Sequence, residues 1–349
     1  NRYTNVEPLV PRYLRMGVGG RLDRNGAEID ALDLDNIRAA IETFKTEDVE
    51  AVSICFMNAF ANPEHEQAAA EIVRKELPDA YLTVSTELLP SIRFYERVST
   101  TALNTYVGPI LSHYLGQLKN RLKDVGFGGI LLIMQSNGGV MSPEIAERKP
   151  AQTLLSGPAG GPGAGLIYAQ AHNQNKCLTV DMGGTSFEAS MAVDSPIMVN
   201  DGEIDRHRIA LPMLGIHTIG AGGGSVGWID KGGLLRMGPE SAGADPGPVC
   251  YQKGGVKPAT TDANLVLGYL DPGYFNGGAM TLDLAAAKAG LEERIAAPLG
   301  LSTESAAWGI HAVANANMER AMRVMSVEKG RDPRKYTLVA FGGAGPIHA

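Results

Sequence analysis

The sequence predicts an α/β protein, on three observations. Helical and strand apolar patterns alternate through its first 150 residues, a strand–turn–strand carries two glycines at its tip (183–184), and most of its 43 glycines gather in loops that follow strand-like runs. From Leu32 to Lys45 the apolar residues Leu32, Leu34, Ile37, Ile41 and Phe44 fall near a 3.6-residue period, and Asp35 supplies an acidic first turn, so a helix is expected. VEAVSICFMNAF (49–60) has the length and composition of a strand buried on both faces. NPEHEQAAAEIVRKEL (62–77) follows as a helix with Pro63 suited to its first turn. DAYLTVSTEL (79–88) reads as a strand, 97–126 as a long helix stopped by Gly126, and GGILLIMQSNGG (128–139) as a buried strand leaving into a polar turn. One parallel or mixed sheet is expected for residues 1–150, and a glycine-rich second domain for 151–349. In that second part, 304–330 reads as a long helix with a small-residue face, and KYTLVAFGG (335–343) as a strand running into a glycine turn.

Composition narrows the function. A chain of 349 residues, 44% hydrophobic, can bury one large or two medium cores and is not a disordered segment. With 31 Lys and Arg against 38 Asp and Glu, and no basic run, it lacks the footprint of a nucleic-acid binder. No window approaches the roughly 18–20 apolar residues of a membrane helix. Cys55, Cys177 and Cys250 are odd in number and scattered, which fits neither a disulfide framework nor a zinc site and leads us to expect the cytoplasm. The amino end lacks the build of a signal peptide and an initiator Met, and FGGAGPIHA (341–349) stops on a glycine turn, so a segment of a longer chain is expected.

The chemistry is concentrated in KCLTVDMGGTSFEASM (176–191). A strand ends at Asp181, turns on Gly183 and Gly184, offers hydroxyls from Thr185 and Ser186, and resumes as a second strand. Such a tip suits oxyanions: glycines let backbone N–H groups face a phosphate, hydroxyls add donors, and a neighbouring carboxylate can hold magnesium through water. Neither the P-loop spacing nor the GxGxxG fingerprint is present, so a phosphate site here belongs to another fold. His65, His113, His172 and His311 lie in or beside helical stretches and read as packing or surface residues; His207 and His217 bracket a strand-like segment and can face a cleft. Asp245, held in the turn GADPGP, and Asp262, in TTDAN, are stronger carboxylate candidates, although Asp262 also reads as a helix-start residue. Glu96 and Arg97 read as a pair on a helix face, and Cys250, without a His partner, as a buried apolar residue.

Six ordered segments, LLSGPAGGPGAG (154–165), DMGGTSFEAS (181–190), IGAGGGSVGWID (219–230), SAGADPGPVCY (241–251), TDANLVLGYL (261–270) and FGGAGPIHA (341–349), resemble the hydantoinase A and 5-oxoprolinase family. YERVSTTALNTYVGPIL (95–111) and MQSNGGVMS (134–142) extend the resemblance over essentially the whole chain. The family includes ATP-binding subunits of acetone and acetophenone carboxylases, and is similar to the actin, hexokinase and Hsp70 superfamily, whose two ribonuclease-H-like lobes clasp ATP and magnesium. The resemblance therefore implies an actin-like ATPase fold using ATP and Mg2+. It makes Asp181, Gly183, Gly184, Thr185 and Ser186 the second phosphate hairpin, with Asp181 at the metal. Gly342, Gly343, Ala344 and Gly345 become the adenosine loop, Gly222 and Gly223 further nucleotide contacts, and Ser156, Gly157 and Gly160 the connection between lobes. Asp181, Glu188 and Asp245 are the candidate catalytic groups. The family's first phosphate motif, DxGGTxTD, has no counterpart upstream of Asp181, which implies residues missing there. Where the family continues DMGGTSTDV, this chain has Phe187 and Glu188 in place of Thr and Asp, a departure that either retunes metal and phosphate contacts or marks a subgroup with another substrate.

The activity so implied is ATP-dependent hydrolysis of a cyclic amide (a hydantoin, an N-methylhydantoin or 5-oxoproline) by an A-type subunit working with a hydantoinase B-like partner, in an oligomer. The alternatives are the ATP-binding subunit of an acetone- or acetophenone-type carboxylase acting on a ketone, and a non-catalytic ATP-binding scaffold.

Overall fold

A computed structural model describes residues 7–204 and 206–349. The chain separates into two compact units, one of residues 1–157 with 198–214, the other of 158–197 with 215–349.

In the first unit, helix α1 (Leu34–Thr46) carries Asp35 in its first turn as expected, and Asp33 is the cap, its carboxylate accepting the N–H groups of Asp35 and Asn36 at 2.9 Å. Ile37 and Ile41 of its buried face pack with Val52 and Ile54 of strand β1 (Ala51–Ile54), with helix α2 (Glu64–Glu76) and with Val84 of strand β2 (Tyr81–Val84). β1 and β2 pair in parallel. The strand expected over 49–60 stops at Ile54 because side chains capture the backbone that follows. Glu66, fully buried, accepts the Phe56 N–H at 2.8 Å, and the Arg97 guanidinium donates to the Phe56 carbonyl. The same carboxylate accepts Ser85 Oγ, Thr86 N–H and Thr86 Oγ1 at the end of β2 and so ties the two strand ends together. Arg97 is 1% exposed, buried rather than paired with Glu96 on an open face as expected. It lies on helix α3 (Phe94–Asp124), which ends before Gly126 as the sequence predicts.

Two further expectations fail here. The run 128–139 is not a buried strand: only Ile133–Met134 pairs, with Val140–Met141, while Ile130 is 85% exposed. Residues 7–157 also do not form one sheet, and their strands make three separate two-stranded ladders among the described residues. Apolar β-branched runs report strand propensity, but burial on two faces needs neighbouring strands that this part of the chain does not supply.

The second unit is built on a mixed five-stranded sheet. Helix α4 (Gly160–Ala171) leads into strand β3 (Lys176–Met182), which turns back as β4 (Phe187–Val193). β5 (Ile216–Ile219) and the short strand Ser195–Pro196 pair antiparallel with β4. After the antiparallel pair β6 (Ser225–Ile229) and β7 (Leu235–Ser241), helix α5 (Thr260–Val266) and helix α6 (Thr303–Met325), strand β8 (Thr337–Phe341) returns to pair in parallel with β3. Strand alternation divides the sheet's faces. Leu178, Val180, Met182, Phe187, Ala189 and Met191 pack with Met318, Ala321 and Met325 of α6. On the other face α4 lies close because it presents glycine: a Cβ at Gly165 would stand 2.4 Å from Thr179 Cγ2, and one at Gly161 2.1 Å from the Phe341 ring. No helix of the described residues is long and apolar enough to cross a membrane.

This close approach sets a stability test. Gly165→Val should destabilise the second unit by about 1–3 kcal/mol through overpacking. Gly163→Ala in the same helix has open space at its Cβ and should stabilise by about 1 kcal/mol through helix propensity. Urea unfolding of the two variants checks both signs.

Candidate functional site

The β3–β4 hairpin closes as its sequence predicts, with the Gly183 N–H donating to the Ser186 carbonyl at 3.2 Å. Gly184 and Thr185 are exposed at the tip, and Cβ positions at Gly183 and Gly184 face open space. Two further glycine loops meet it. Gly223 and Gly224 donate their N–H groups to the carbonyls of Gly183 and Gly184 at 3.0 and 2.7 Å. The contact is backbone on backbone: a Cβ at Gly222 would lie 2.6 Å from Gly184 C and O and Thr185 N. The loop after β8 returns from the other side, where the Ala344 N–H donates to the Met182 carbonyl at 2.8 Å. Gly342, at φ +84°, passes so near Asp181 that a Cβ would lie 2.3 Å from its Oδ1. Gly345 lies by the Met182 backbone, and Gly343 has open space at its Cβ.

Asp181 and Glu188 are register partners across the hairpin. They share a narrow crevice with Thr179, Ser190 and Phe341. Burial pushes the Asp181 carboxyl above its ordinary range. Burial and then the Asp181 charge push Glu188 up as well, against the Ser186 hydroxyl, which pulls it down. The pair suits a hard cation: two carboxylates supply oxygen ligands, and magnesium keeps several of its waters. Among the described residues no group of three or more His, Cys, Asp and Glu side chains could hold a metal ion, so a His-rich transition-metal site is not built here. Phe187 points the other way and is 2% exposed in the core against α6, so its departure from the family pattern adds packing, whereas Glu188 alone alters the site face.

The remaining expected residues divide. Asp245 is exposed, in a turn anchored by the Ala242 N–H on the Gly224 carbonyl, and makes no hydrogen bond to the hairpin among the described residues. Ser156 and Gly157 belong to the first unit, where the Ser156 N–H closes a turn onto Thr153 O at 3.0 Å. Gly160 opens α4 in the second. Asp262 is fully buried and accepts the N–H groups of Val249, Cys250 and Ala259, a structural helix-start role. Cys250 is buried and its thiol is pushed far up by burial, which removes it as a nucleophile. His65 is buried against Glu28 at 2.7 Å, and His113 pairs with Gln117. His207 lies on a strand of the first unit, and His217 lines a separate cleft of about 270 Å3 beside Arg320. Sequence reasoning missed Thr261, whose N–H and hydroxyl both donate to the Gly223 carbonyl at 2.8 Å. Its signal was a doubled Thr at a helix start, a position that favours hydroxyls aimed at nearby backbone.

The comparisons with known proteins decide the family. The family profile described as Hydantoinase/oxoprolinase matches residues 97–349, and that of the Hydantoinase/oxoprolinase N-terminal region matches residues 1–77. The chain belongs to the hydantoinase/oxoprolinase family. Within it, the chain is similar to caprolactamase subunit alpha of Pseudomonas jessenii, 42% identical over 99% of this chain and 50% of that one. It is 32% identical to the acetone carboxylase beta subunit of Xanthobacter autotrophicus, over 100% of this chain and 49% of that one. The 5-oxoprolinase of Saccharomyces cerevisiae is 34% identical over 95% of this chain and 26% of that one. Among solved structures, a nucleotide-free ATP-dependent acetone carboxylase superposes over 100% of this chain and 49% of its own with a TM-score of 0.88 at 31% identity. The ATP-dependent caprolactamase from Pseudomonas jessenii superposes over 99% and 51% with a TM-score of 0.80 at 42% identity. The α/β architecture expected from sequence is thus the family's, and the chain spans about half the length of the first of these relatives.

The carboxylate pair makes a stability prediction. A carboxyl whose folded pKa is raised favours the protonated native state, so its contribution is fully present below the unfolded pKa and is lost as pH rises through the folded value. Asp181→Asn and Glu188→Gln should therefore raise the melting temperature at pH 7. The gain should shrink as pH falls toward the ordinary values of 3.8 and 4.5. Thermal denaturation across that range measures it, and variants less stable than the parent at pH 7 would refute the strained-pair reading.

Proposed function

We propose that this segment is the ATP-handling part of an A-type subunit that hydrolyses a cyclic amide at the expense of ATP. One observation carries the reading: two glycine loops converge, backbone to backbone, on a glycine-tipped hairpin whose two carboxylates face each other, in a chain whose ATP-dependent relatives include a caprolactamase. ATP is the co-substrate, and magnesium when bound supplies neutralising charge at its phosphates. We assign the phosphate contacts to the tip Gly183, Gly184, Thr185 and Ser186, through the N–H groups and hydroxyls that remain once the Gly183 N–H is taken by the Ser186 carbonyl, and the metal to Asp181 with Glu188 beside it. Gly222 and Gly223 back the tip, and Gly342, Gly343, Ala344 and Gly345 form the edge toward the adenosine. We assign Asp245, exposed in the turn that the Ala242 N–H anchors to the Gly224 carbonyl, to substrate or partner, and Ser156 and Gly157 to the connection between lobes. Phosphoryl transfer is mostly positioning and charge neutralisation, which backbone amides and a carboxylate pair provide. In that transfer the amide oxygen bonds to the γ-phosphorus as the β–γ bridge bond breaks and ADP leaves; one water adds to the activated carbon, the C–N bond breaks as the nitrogen takes up a proton and departs, and a second water releases phosphate from the acyl phosphate that remains. We assign completion of the reaction to a hydantoinase B-like subunit in a cytoplasmic oligomer.

The carboxylase reading has its own support, since the acetone carboxylase gives the higher TM-score of the two solved relatives. ADP release by the full-length protein with its partner separates the two, on a panel of hydantoin, N-methylhydantoin, 5-oxoproline, a simple lactam, and acetone or acetophenone with bicarbonate. Stimulation by a cyclic amide is expected. Stimulation only by a ketone with bicarbonate moves the protein to the carboxylase branch, and silence with intact ATP binding makes it a scaffold. Asp181→Asn should lower turnover about a hundredfold or more, and unchanged turnover would refute the assignment of the hairpin.

A further inference from the structure

The second unit holds a chain of four hydrogen-bonded side chains, two buried and two half-buried, that the functional reading does not use. His311, 5% exposed on α6, donates from Nδ1 to Asn264 Oδ1 at 2.9 Å. Asn264, 1% exposed on α5, donates from Nδ2 to His348 Nε2 at 3.0 Å. His348 in turn donates from Nδ1 to Asn315 Oδ1 at 2.7 Å. The directions are mutually consistent: an amide that gives its oxygen to one imidazole can offer only N–H to the next, which fixes His348 as the Nδ1–H tautomer. The two imidazoles stack, with centroids 4.5 Å apart and planes 14° apart, and Trp308 stacks on the outer face of His311 at 5.5 Å. Both rings are held neutral. Burial pushes His311 below its ordinary value, and burial, then the His311 charge, push His348 down to about 4.

The place of Asn264 in this chain gives it a consequence. It stands three residues after Thr261 on α5, one helical turn away and on the same side. Thr261 holds the Gly223 carbonyl, and Gly223 holds the hairpin at Gly183. Asn264 holds His348, on the helical turn Gly345–His348 that directly follows the loop anchored at Met182. One turn of α5 therefore grips both glycine loops that flank the hairpin tip. We infer that Asn264 and His348, backed by His311 and Asn315, are positioning residues that set the separation of these two loops for the nucleotide, and so determine ATP affinity without touching ATP.

This inference rests on the ATP reading above, and its test separates the two. ATP binding to the full-length protein with its partner is measured by calorimetry for the parent, Asn264→Ala, His348→Ala and His348→Gln, and histidine ring nitrogens are followed by NMR. Asn264→Ala and His348→Ala should each weaken ATP binding about tenfold. His348→Gln, whose amide can accept from Asn264 and donate to Asn315, should stay within about threefold of the parent, a rescue that lost packing alone would not give. The parent should show His348 as the neutral Nδ1–H tautomer at pH 7. Parent-like ATP affinity in folded Asn264→Ala, or His348 found as the Nε2–H tautomer or as imidazolium, overturns the positioning role alone. A parent that binds no ATP overturns the functional reading, and the positioning role with it.

Discussion

The contact of two polypeptide backbones, Gly222–Gly224 against Gly183–Gly184, is the constraint from which the rest of the site follows. Two amide-to-carbonyl bonds hold it, at 3.0 and 2.7 Å, and side chains are excluded from the space between. Because the carbonyls of Gly183 and Gly184 are occupied on that side and the Gly183 N–H closes the turn onto Ser186, the open face of the tip is left to its remaining N–H groups and hydroxyls. The polarity of the tip is thereby set toward anions by geometry, before any charged side chain is counted.

The carboxylates answer that polarity from below. Register alone puts Asp181 opposite Glu188, and the crevice that buries them makes two neighbouring negative charges costly. Such an arrangement is costly for the fold and useful where a cation must be drawn in, the usual pattern of strain kept at a site and compensated elsewhere. The compensation is visible on the other face of the same two strands, where Met182, Phe187 and Met191 are sealed against α6.

How much of this was legible in the sequence depended on whether the determining interactions were local. The hairpin, its glycine tip and helices α1, α2, α3 and α6 were readable because period and turn chemistry lie within one stretch. Phe187 and Glu188 were visible as a departure, but their opposite meanings appear only once strand alternation assigns one to the core and the other to the crevice. What could not be read was non-local. β1 ends early because Glu66 and Arg97, from two later helices, take the Phe56 backbone groups. The apolar run at 128–139 found no neighbouring sheet, and His311 looked like ordinary packing until Asn264 and His348 were placed beside it.

The parallel pairing of β8 with β3 bears on how such a protein is made. Thr337 lies opposite Cys177, so nearly the whole sequence of the second unit must leave the ribosome before the hairpin gains its neighbour on that side. Until then β3 presents a bare, apolar-flanked edge, an invitation to wrong partners during synthesis. A ladder closed across so long a span also carries a high contact order, which slows its formation. Of the loops that meet the hairpin, the one that follows β8 is made after the one that follows β5, so dependence on chaperones should be concentrated in that interval.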